Sequence, residues 1–247
     1  MNGHVDYKRA LGIGALIFIA FELVLLPFIQ LDVLDAVEYW QYLSVVLAFL
    51  FSLLCLRGDR RCDLVRLGLA ITLVADYFLV IDGKAYLAGV ITFICAQIAY
   101  CLYLVLEDGR RAVRLANIYT RVGLCAALII AAYAVLGENT DALAIASVLY
   151  YANLVLNVVF AFLLGKGGRV FAIGLALFAM CDLCIGLETL GDLYIKSDAF
   201  DFMYKGSFNL PWVFYQPSQV MIGLSLYGKI KDKQRGTCTV FPFIFDN

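Results

Sequence analysis

The chain has 247 residues, of which 63% are hydrophobic and 16% are charged, and its net charge is −1. A soluble domain carries about 25% charged and about 45–50% apolar residues, so this composition excludes an ordinary water-soluble globule and predicts an integral membrane protein. The near-neutral charge gives no indication of a nucleic-acid partner. The first apolar stretch has no small-residue cleavage site, and we interpret it as a retained helix and not as a signal peptide.

Eight mostly apolar stretches have the length of about 17–25 residues that a helix needs to cross the hydrocarbon core of a bilayer. In chain order they cover residues 10–30, 39–56, 65–82, 85–106, 113–136, 141–164, 169–188 and 208–228. Strands are excluded because open strand edges cannot be satisfied in lipid. The sequence therefore predicts an all-α bundle of eight transmembrane helices. It forms one domain over residues 1–235, with a polar loop at 189–207 and a tail at 236–247.

The basic residues alternate between loops as they would in an eight-helix bundle with both termini in the cytoplasm. With the N-terminus inside, 16 of the 19 basic residues fall in cytoplasmic segments, and only Lys84, Lys196 and Lys205 fall outside. The cytoplasmic set is Lys8, Arg9, Arg57, Arg60, Arg61, Arg66, Arg110, Arg111, Arg114, Arg121, Lys166, Arg169, Lys229, Lys231, Lys233 and Arg235. The positive-inside rule thus predicts the number of spans and their orientation in the plasma membrane. Arg121 lies inside the fifth stretch, and we expect its long side chain to snorkel towards the membrane surface.

Two apolar stretches align without gaps at an offset of 106 residues, counted from 68 to 174. Residues 68–82 read GLAITLVADYFLVID, and residues 174–188 read GLALFAMCDLCIGLE. Gly-Leu-Ala opens both stretches, and Asp76 matches Asp182. The match favours two parallel four-helix repeats, an arrangement known in membrane proteins. The alternative is chance similarity between two apolar helices of biased composition.

Asp76 and Asp182 are carboxyl groups inside predicted membrane helices. Each lies six residues before the outer end of its helix, which is about 9 Å at 1.5 Å per residue. An intramembrane carboxyl costs about 2.5–3.5 kcal/mol on insertion scales unless it is paired or faces a cavity. We therefore interpret the two acids as lining a shared polar cavity in the outer half of the bundle. The alternative is that each only hydrogen-bonds to a neighbouring helix and fixes its packing.

Further polar residues on the predicted fourth, sixth and eighth helices are candidates for the same cavity. They are Gln97, Tyr100, Tyr151, Asn153, Asn157, Tyr215 and Gln219. The only histidine, His4, precedes the first span, so histidine-dependent nucleophilic catalysis and histidine metal sites are excluded. A redox or metal role for Cys181-x-x-Cys184 is disfavoured, because the pair lies on a membrane helix and no second pair accompanies it.

Four short motifs occur in the order and helix placement typical of one membrane protein family. They are Ala75-Asp76-Tyr-Phe-Leu79, Gln97-Ile-Ala-Tyr100, Cys181-Asp182-x-x-Ile185 and Tyr215-Gln-Pro-Ser218-Gln219. Through them the chain resembles the YhhN, or lysoplasmalogenase-like, family over predicted helices 3 to 8. The chain departs from the family pattern at Ala75, Gln97, Cys181 and Ser218, where the family has Gly, His, Ser and Ala.

The resemblance implies a hydrolase that cleaves the vinyl ether bond of lysoplasmalogen, a membrane lipid, to a fatty aldehyde and a glycerophospho-alcohol without metal or cofactor. It also implies that Asp76 and Asp182 are the catalytic pair. One acid would protonate the vinyl carbon while the other stabilises the oxocarbenium ion, a division of roles that glycosidases also use. If the family histidine relays protons, Gln97 makes the chain slow, altered in substrate or inactive. The rival interpretations are a non-enzymatic lipid or small-molecule carrier and an inactive relative.

Overall fold

The computed structural model describes residues 2–31, 35–55, 61–191 and 209–234, and for 2–9 and 228–234 it describes the backbone alone. Within these ranges the chain forms eight α-helices and no strand. The helices are α1 (Asn2–Gln30), α2 (Val37–Leu54), α3 (Cys62–Asp76), α4 (Tyr86–Glu107), α5 (Arg111–Leu136), α6 (Ala142–Leu163), α7 (Arg169–Thr189) and α8 (Leu210–Gln234). The predicted all-α fold is therefore confirmed. Most of the predicted loop 189–207 and the whole tail 236–247 lie outside the described residues.

Helices α1 to α7 are long and apolar enough to cross a membrane, by their length and composition. Helix α8 is less apolar because Gln216, Ser218 and Gln219 interrupt it. All three side chains are nevertheless buried, at 1% exposure or less, and α8 packs against α7, α2 and α1. These three polar side chains thus face neighbouring helices and not the surroundings of the bundle.

The most extensive helix contacts join α3 to α4 and α7 to α8. Gly68 permits the first pair, because a Cβ at this position would lie 2.1 Å from Cε1 of Tyr100. Gly174 permits the second pair, because a Cβ there would lie 2.9 Å from Cγ1 of Ile222 and 3.1 Å from the carbonyl oxygen of Ser218. Gly68 and Gly174 are the glycines that open the two aligned stretches. Helix α4 also packs on α6, and α8 packs on α2.

Helix α3 changes its hydrogen-bonding pattern directly after Asp76. This aspartate is the last α-helical residue, and the chain continues as a π-helix over Tyr77–Asp82. Such π segments are rare and occur frequently at functional sites. The aspartate therefore lies at an irregular point of the backbone, near the end of its membrane span.

Helix α5 lies at the edge of the bundle and packs mainly on α6. Its large apolar side chains Tyr119, Val122, Ile130 and Val135 are exposed, as expected for a helix that faces lipid. Only two of its residues are buried, and one of them is the polar Asn117. A buried amide on an otherwise peripheral helix marks the face of α5 that meets the rest of the protein.

Candidate functional site

Asp76 on α3 is almost fully buried, with 3% of its surface exposed. The hydroxyl of Tyr215 on α8 donates a hydrogen bond to Oδ2 of Asp76 at 2.5 Å. Tyr215 is itself buried. The two residues therefore bring together the first and last of the four sequence motifs, which lie far apart along the chain.

Asp182 on α7 has a matching partner. The hydroxyl of Tyr150 on α6 donates a hydrogen bond to Oδ2 of Asp182. Asp182 is partly exposed, whereas Asp76 is covered. Each of the two equivalent aspartates thus receives a tyrosine hydroxyl, and Asp182 is the one that a molecule from outside the bundle can reach directly.

A row of aromatic rings joins the two Tyr–Asp pairs. The ring of Tyr150 lies 5.4 Å from that of Phe93, and Phe93 lies 5.5 Å from Phe178. The Phe178 ring in turn lies 5.2 Å from that of Tyr215. Phe178 is one helical turn before Asp182, so it shares a face of α7 with that acid. The structure therefore connects the two predicted acids through their tyrosine partners and a continuous row of aromatic rings.

Several predicted binding residues present polar atoms that have no hydrogen-bond partner. These atoms are the hydroxyl of Tyr100, Nε2 of Gln97 and Oε1 of Gln219, and all three are buried. The hydroxyl of Thr72, on α3 one turn before Asp76, is also buried, and it lies next to the hydroxyl of Tyr100. Buried polar groups are rarely left unpaired in native proteins. These atoms are the ones that a bound polar molecule or water would satisfy.

The predicted pair Asn153 and Asn157 holds the guanidinium group of Arg121. Its NH1 donates to Oδ1 of Asn153 at 2.7 Å, and its NH2 donates to Oδ1 of Asn157 at 2.6 Å. Nε donates to Oδ1 of Asn117 at 2.6 Å. The prediction that Arg121 snorkels towards the end of the bundle is therefore wrong, because its side chain is held between α5 and α6.

Gln97 extends this polar cluster to α4. Nδ2 of Asn157 donates to the carbonyl oxygen and to Oε1 of Gln97, both at 2.9 Å. Tyr151 lies apart from the cluster, because its hydroxyl donates to the carbonyl oxygen of Ala179 at 3.4 Å. The amide of Gln219 donates to Oγ of Ser218 at 3.2 Å. Tyr215 thus belongs to the acid pair, and Gln97, Asn153 and Asn157 belong to the arginine cluster. The other three lie elsewhere, since Tyr151 contacts α7, Gln219 bonds within α8 and Tyr100 packs on α3 and α7.

The model of the YhhN family matches residues 38–226. The chain belongs to the YhhN family. No curated protein and no solved structure matches the chain. The family match includes Asp76, Asp182 and both tyrosines that bind them, and it leaves the whole of α1 outside. In this YhhN protein Gln97 accepts a hydrogen bond from Asn157 through its side-chain oxygen.

A third intramembrane carboxyl, which sequence analysis did not place, lies on α1. Glu22 is 4% exposed, and its Oε2 accepts from Oγ of Ser44 at 2.7 Å and from Nε2 of Gln216 at 2.6 Å. The partners are on α2 and α8, and Gln216 follows Tyr215 directly. Among the described residues, no three His, Cys, Asp or Glu side chains are grouped so that they could hold a metal ion.

Proposed function

We propose that this YhhN protein is a membrane hydrolase that cleaves the vinyl ether bond of lysoplasmalogen-type lipids to a fatty aldehyde and a glycerophospho-alcohol. The observation that carries the proposal is the pair of intramembrane aspartates, Asp76 and Asp182. Each is bound by a tyrosine hydroxyl, and a row of aromatic rings connects the two pairs. Vinyl ether hydrolysis needs a proton donor, stabilisation of a cation and a water molecule. Two carboxyl groups supply these functions in glycosidases, which pass through a related oxocarbenium ion.

The difference in exposure suggests separate roles for the two acids. Asp182 is the more accessible, so we place its protonated carboxyl against the β-carbon of the vinyl ether, the one not bonded to oxygen, to which it transfers a proton. The resulting oxocarbenium ion would lie over the rings of Phe178 and Tyr150, whose faces attract a cation, and within reach of the charge of Asp76. Water then adds to the carbon that bears the ether oxygen and returns a proton to Asp182. The hemiacetal so formed separates into the aldehyde and the glycerol hydroxyl.

The unpaired polar atoms near the acids support a polar substrate in the same space. Gln97, Tyr100 and Gln219 each present one buried atom without a partner. A glycerol backbone carries a free hydroxyl and ester oxygens that could satisfy such atoms. We propose these residues, with Tyr151, Asn153, Asn157 and Tyr215, as the groups that orient the lipid.

The test is aldehyde release from lysoplasmalogen by the purified full-length protein, compared with Asp76→Asn and Asp182→Asn. Loss of a general acid or base typically costs about 10²–10⁴-fold, and we expect a loss of at least about 100-fold for each variant. Asp82→Asn is the matched control, because Asp82 is exposed at the end of the same segment as Asp76. Wild-type protein that binds the lipid and releases no aldehyde would overturn the proposal and favour the carrier.

We also propose that α8 is an eighth span, that both termini are cytoplasmic and that the chain consists of two four-helix repeats. The alternation of basic loop residues supports the orientation. The pairing of α3 with α4 and of α7 with α8, each through an equivalent glycine, supports the repeat. A protease site inserted after Lys84 should be cut from outside intact cells, and one inserted after Lys166 only after permeabilisation. The reverse pattern would overturn the orientation.

A further inference from the structure

We infer that Arg121, with the asparagines around it, binds the phosphate of a lysophospholipid and so fixes the head group of the substrate in the bundle. Arg121 lies between α5 and α6, at the polar cluster formed by Asn117, Asn153, Asn157 and Gln97. The inference deepens the proposed function and rests on it for the identity of the ligand. It assigns to the cluster a role separate from that of the two acids.

The charge of Arg121 has no counter-charge in the cluster. Its hydrogen-bond partners are amide and main-chain oxygens of Asn117, Asn153 and Asn157, which are neutral. The ion pairs found among the described residues involve Arg61, Arg66 and Arg110 and not Arg121. A charge inside a membrane span is costly unless it is paired or faces a cavity. A cation held in place by neutral groups therefore offers a site for an anion.

The cluster retains donors for such an anion. Arginine has five N–H groups, and phosphate is a preferred partner of its planar fork. Nε binds Asn117, and NH1 binds the main-chain and side-chain oxygens of Asn153. NH2 binds only Oδ1 of Asn157, so one of its hydrogens is left. Nε2 of Gln97 is also unpaired, and Gln97 binds the same Asn157. The two residues that keep an unused donor, Arg121 and Gln97, thus both bind Asn157.

A small cleft lies next to the cluster, where α4 passes into α5. Its polar lining consists of Asp108, Arg114 and Asn117, and its apolar lining of Leu104, Val105, Val113 and Phe160. Asn117 lines the cleft and also binds Arg121, one helical turn further along α5. Asn117 therefore joins the cleft, which contains the basic Arg114, to the cluster around Arg121.

The spacing along α6 fits the length of the lipid. Asn153 and Asn157 follow Tyr150, the partner of Asp182, by three and seven residues, which is about 4.5 and 10.5 Å along the helix axis. In a lysophospholipid the phosphorus and the ether oxygen are separated by the glycerol unit, about 6 Å by ordinary bond lengths. A phosphate at Arg121 therefore brings the ether bond to the level of Asp182.

The experiment measures binding to full-length protein in detergent and needs no turnover. The probes are a saturated 1-O-alkyl lysophosphoethanolamine, which cannot be hydrolysed as a vinyl ether, and the matching 1-O-alkylglycerol, which lacks phosphate. We expect wild-type protein to bind the phosphate-bearing probe at least about 10-fold more tightly, the range of one charged contact. Arg121→Gln should reduce this ratio to about one and leave alkylglycerol binding unchanged, whereas Arg121→Lys keeps part of it. Arg111→Gln, on the exposed start of α5, is the matched control and should keep the full ratio.

Two results would overturn the inference. One is an unchanged ratio of the two affinities in Arg121→Gln. The other is an equal loss of affinity for both probes, which would show that Arg121 only supports packing. In a further outcome, inorganic phosphate alone protects the wild-type protein against heat while the protein shows no preference for the phosphate-bearing lipid. That result would overturn the assignment of the anion to a lipid. If wild-type protein releases no aldehyde and yet shows the expected ratio and its loss in Arg121→Gln, the hydrolase proposal fails and the phosphate site stands.

Discussion

The hydroxyl of Tyr215 lies 2.5 Å from Oδ2 of Asp76 and thereby joins the last helix of the bundle to the third, across 139 positions of sequence. Tyr150 binds Asp182 in the same way from α6. Because Phe178 packs against the ring of Tyr215 and lies one turn before Asp182, the two pairs cannot move independently. A reaction that uses two acids on one bond needs this fixed relation, since small misplacements of catalytic groups are costly.

Tyr215→Phe should weaken both the fold and the reaction. The ring contacts with Phe178 and Trp212 remain, but Asp76 loses its hydrogen-bond donor. Leaving a buried acceptor unpaired costs about 1–3 kcal/mol, and we expect aldehyde release to fall at least about tenfold. Thermal unfolding in detergent and product formation are measured on the same preparation. Tyr133→Phe, on the exposed side of α5, is the control. Wild-type turnover in Tyr215→Phe would show that this hydrogen bond is not needed.

Gly174→Ala should separate α7 from α8. The new methyl group would meet Ile222 and the carbonyl oxygen of Ser218 at 2.9 and 3.1 Å. The carbonyl belongs to the backbone of α8, so the helix itself has to shift, and overpacking of this kind costs about 1–3 kcal/mol. Gly186→Ala on the same helix meets nothing within 4 Å and should leave the unfolding temperature unchanged or raise it. Equal effects of the two substitutions would contradict the close contact.

The helices and the two acids could be predicted from sequence, but their partners could not. Length and hydropathy define a membrane helix locally, and a carboxyl such as Asp76 stands out against an apolar background. Tyr150 and Phe178 do not stand out, since 14% of the chain is aromatic. Glu22 was visible as an intramembrane acid, but its partner Gln216 lies 194 positions away. Contacts of that separation depend on helix packing, which local patterns do not specify.

The turn between α4 and α5 gives the fold a defined dependence on pH. Oδ1 of Asp108 accepts from the main-chain nitrogen of Arg110 at 2.9 Å, and Oδ2 accepts from its NH2 at 2.8 Å. The side-chain hydrogen bonds from Arg110 lower the pKa of Asp108 below its ordinary value. The stabilisation is therefore fully present above about pH 4, the ordinary aspartate value, and is lost as the pH falls through the lower value in the folded protein.

Asp108→Asn should accordingly lower the unfolding temperature at pH 7 but not in acid. Because Arg110 is largely exposed, we expect a loss of roughly 1 kcal/mol, the upper range for exposed ion pairs. Unfolding of wild-type and variant protein is followed at pH 7, 5, 4 and 3, and the difference should shrink at the lowest values. Asp35→Asn, which removes an exposed acid, controls for the general change in net charge. A difference that stays constant over this range would contradict the assignment.

Gln97→His introduces the residue that the sequence resemblance implies at this position. The main-chain carbonyl of Gln97 also accepts from Asn157 at 2.9 Å, so substitution of the side chain leaves Asn157 a partner. We expect Gln97→Leu to unfold near the wild-type temperature and to lose at least about tenfold in turnover, because it removes the buried unpaired donor that we propose binds the lipid. Gln97→His should retain or raise turnover. A fully active Gln97→Leu variant would show that the side chain is not part of the site.

Only one of the two carboxyl oxygens of Glu22 accepts hydrogen bonds. Its Oε2 accepts from Ser44 and Gln216, whereas its Oε1 and the Oε1 of Gln216 lack a donor. Glu22→Gln keeps an oxygen for Ser44 and Gln216 and replaces the unpaired oxygen of Glu22 with an amide donor for Oε1 of Gln216, so we expect a gain of about 1 kcal/mol, the net value of one hydrogen bond. Glu22→Leu instead leaves the donors of Ser44 and Gln216 buried and unpaired, and should cost about 1–3 kcal/mol. The measurement is the thermal unfolding temperature of each variant, compared with that of the wild-type protein. If Glu22→Gln loses as much stability as Glu22→Leu, the cluster requires the carboxyl group itself and not merely its hydrogen bonds.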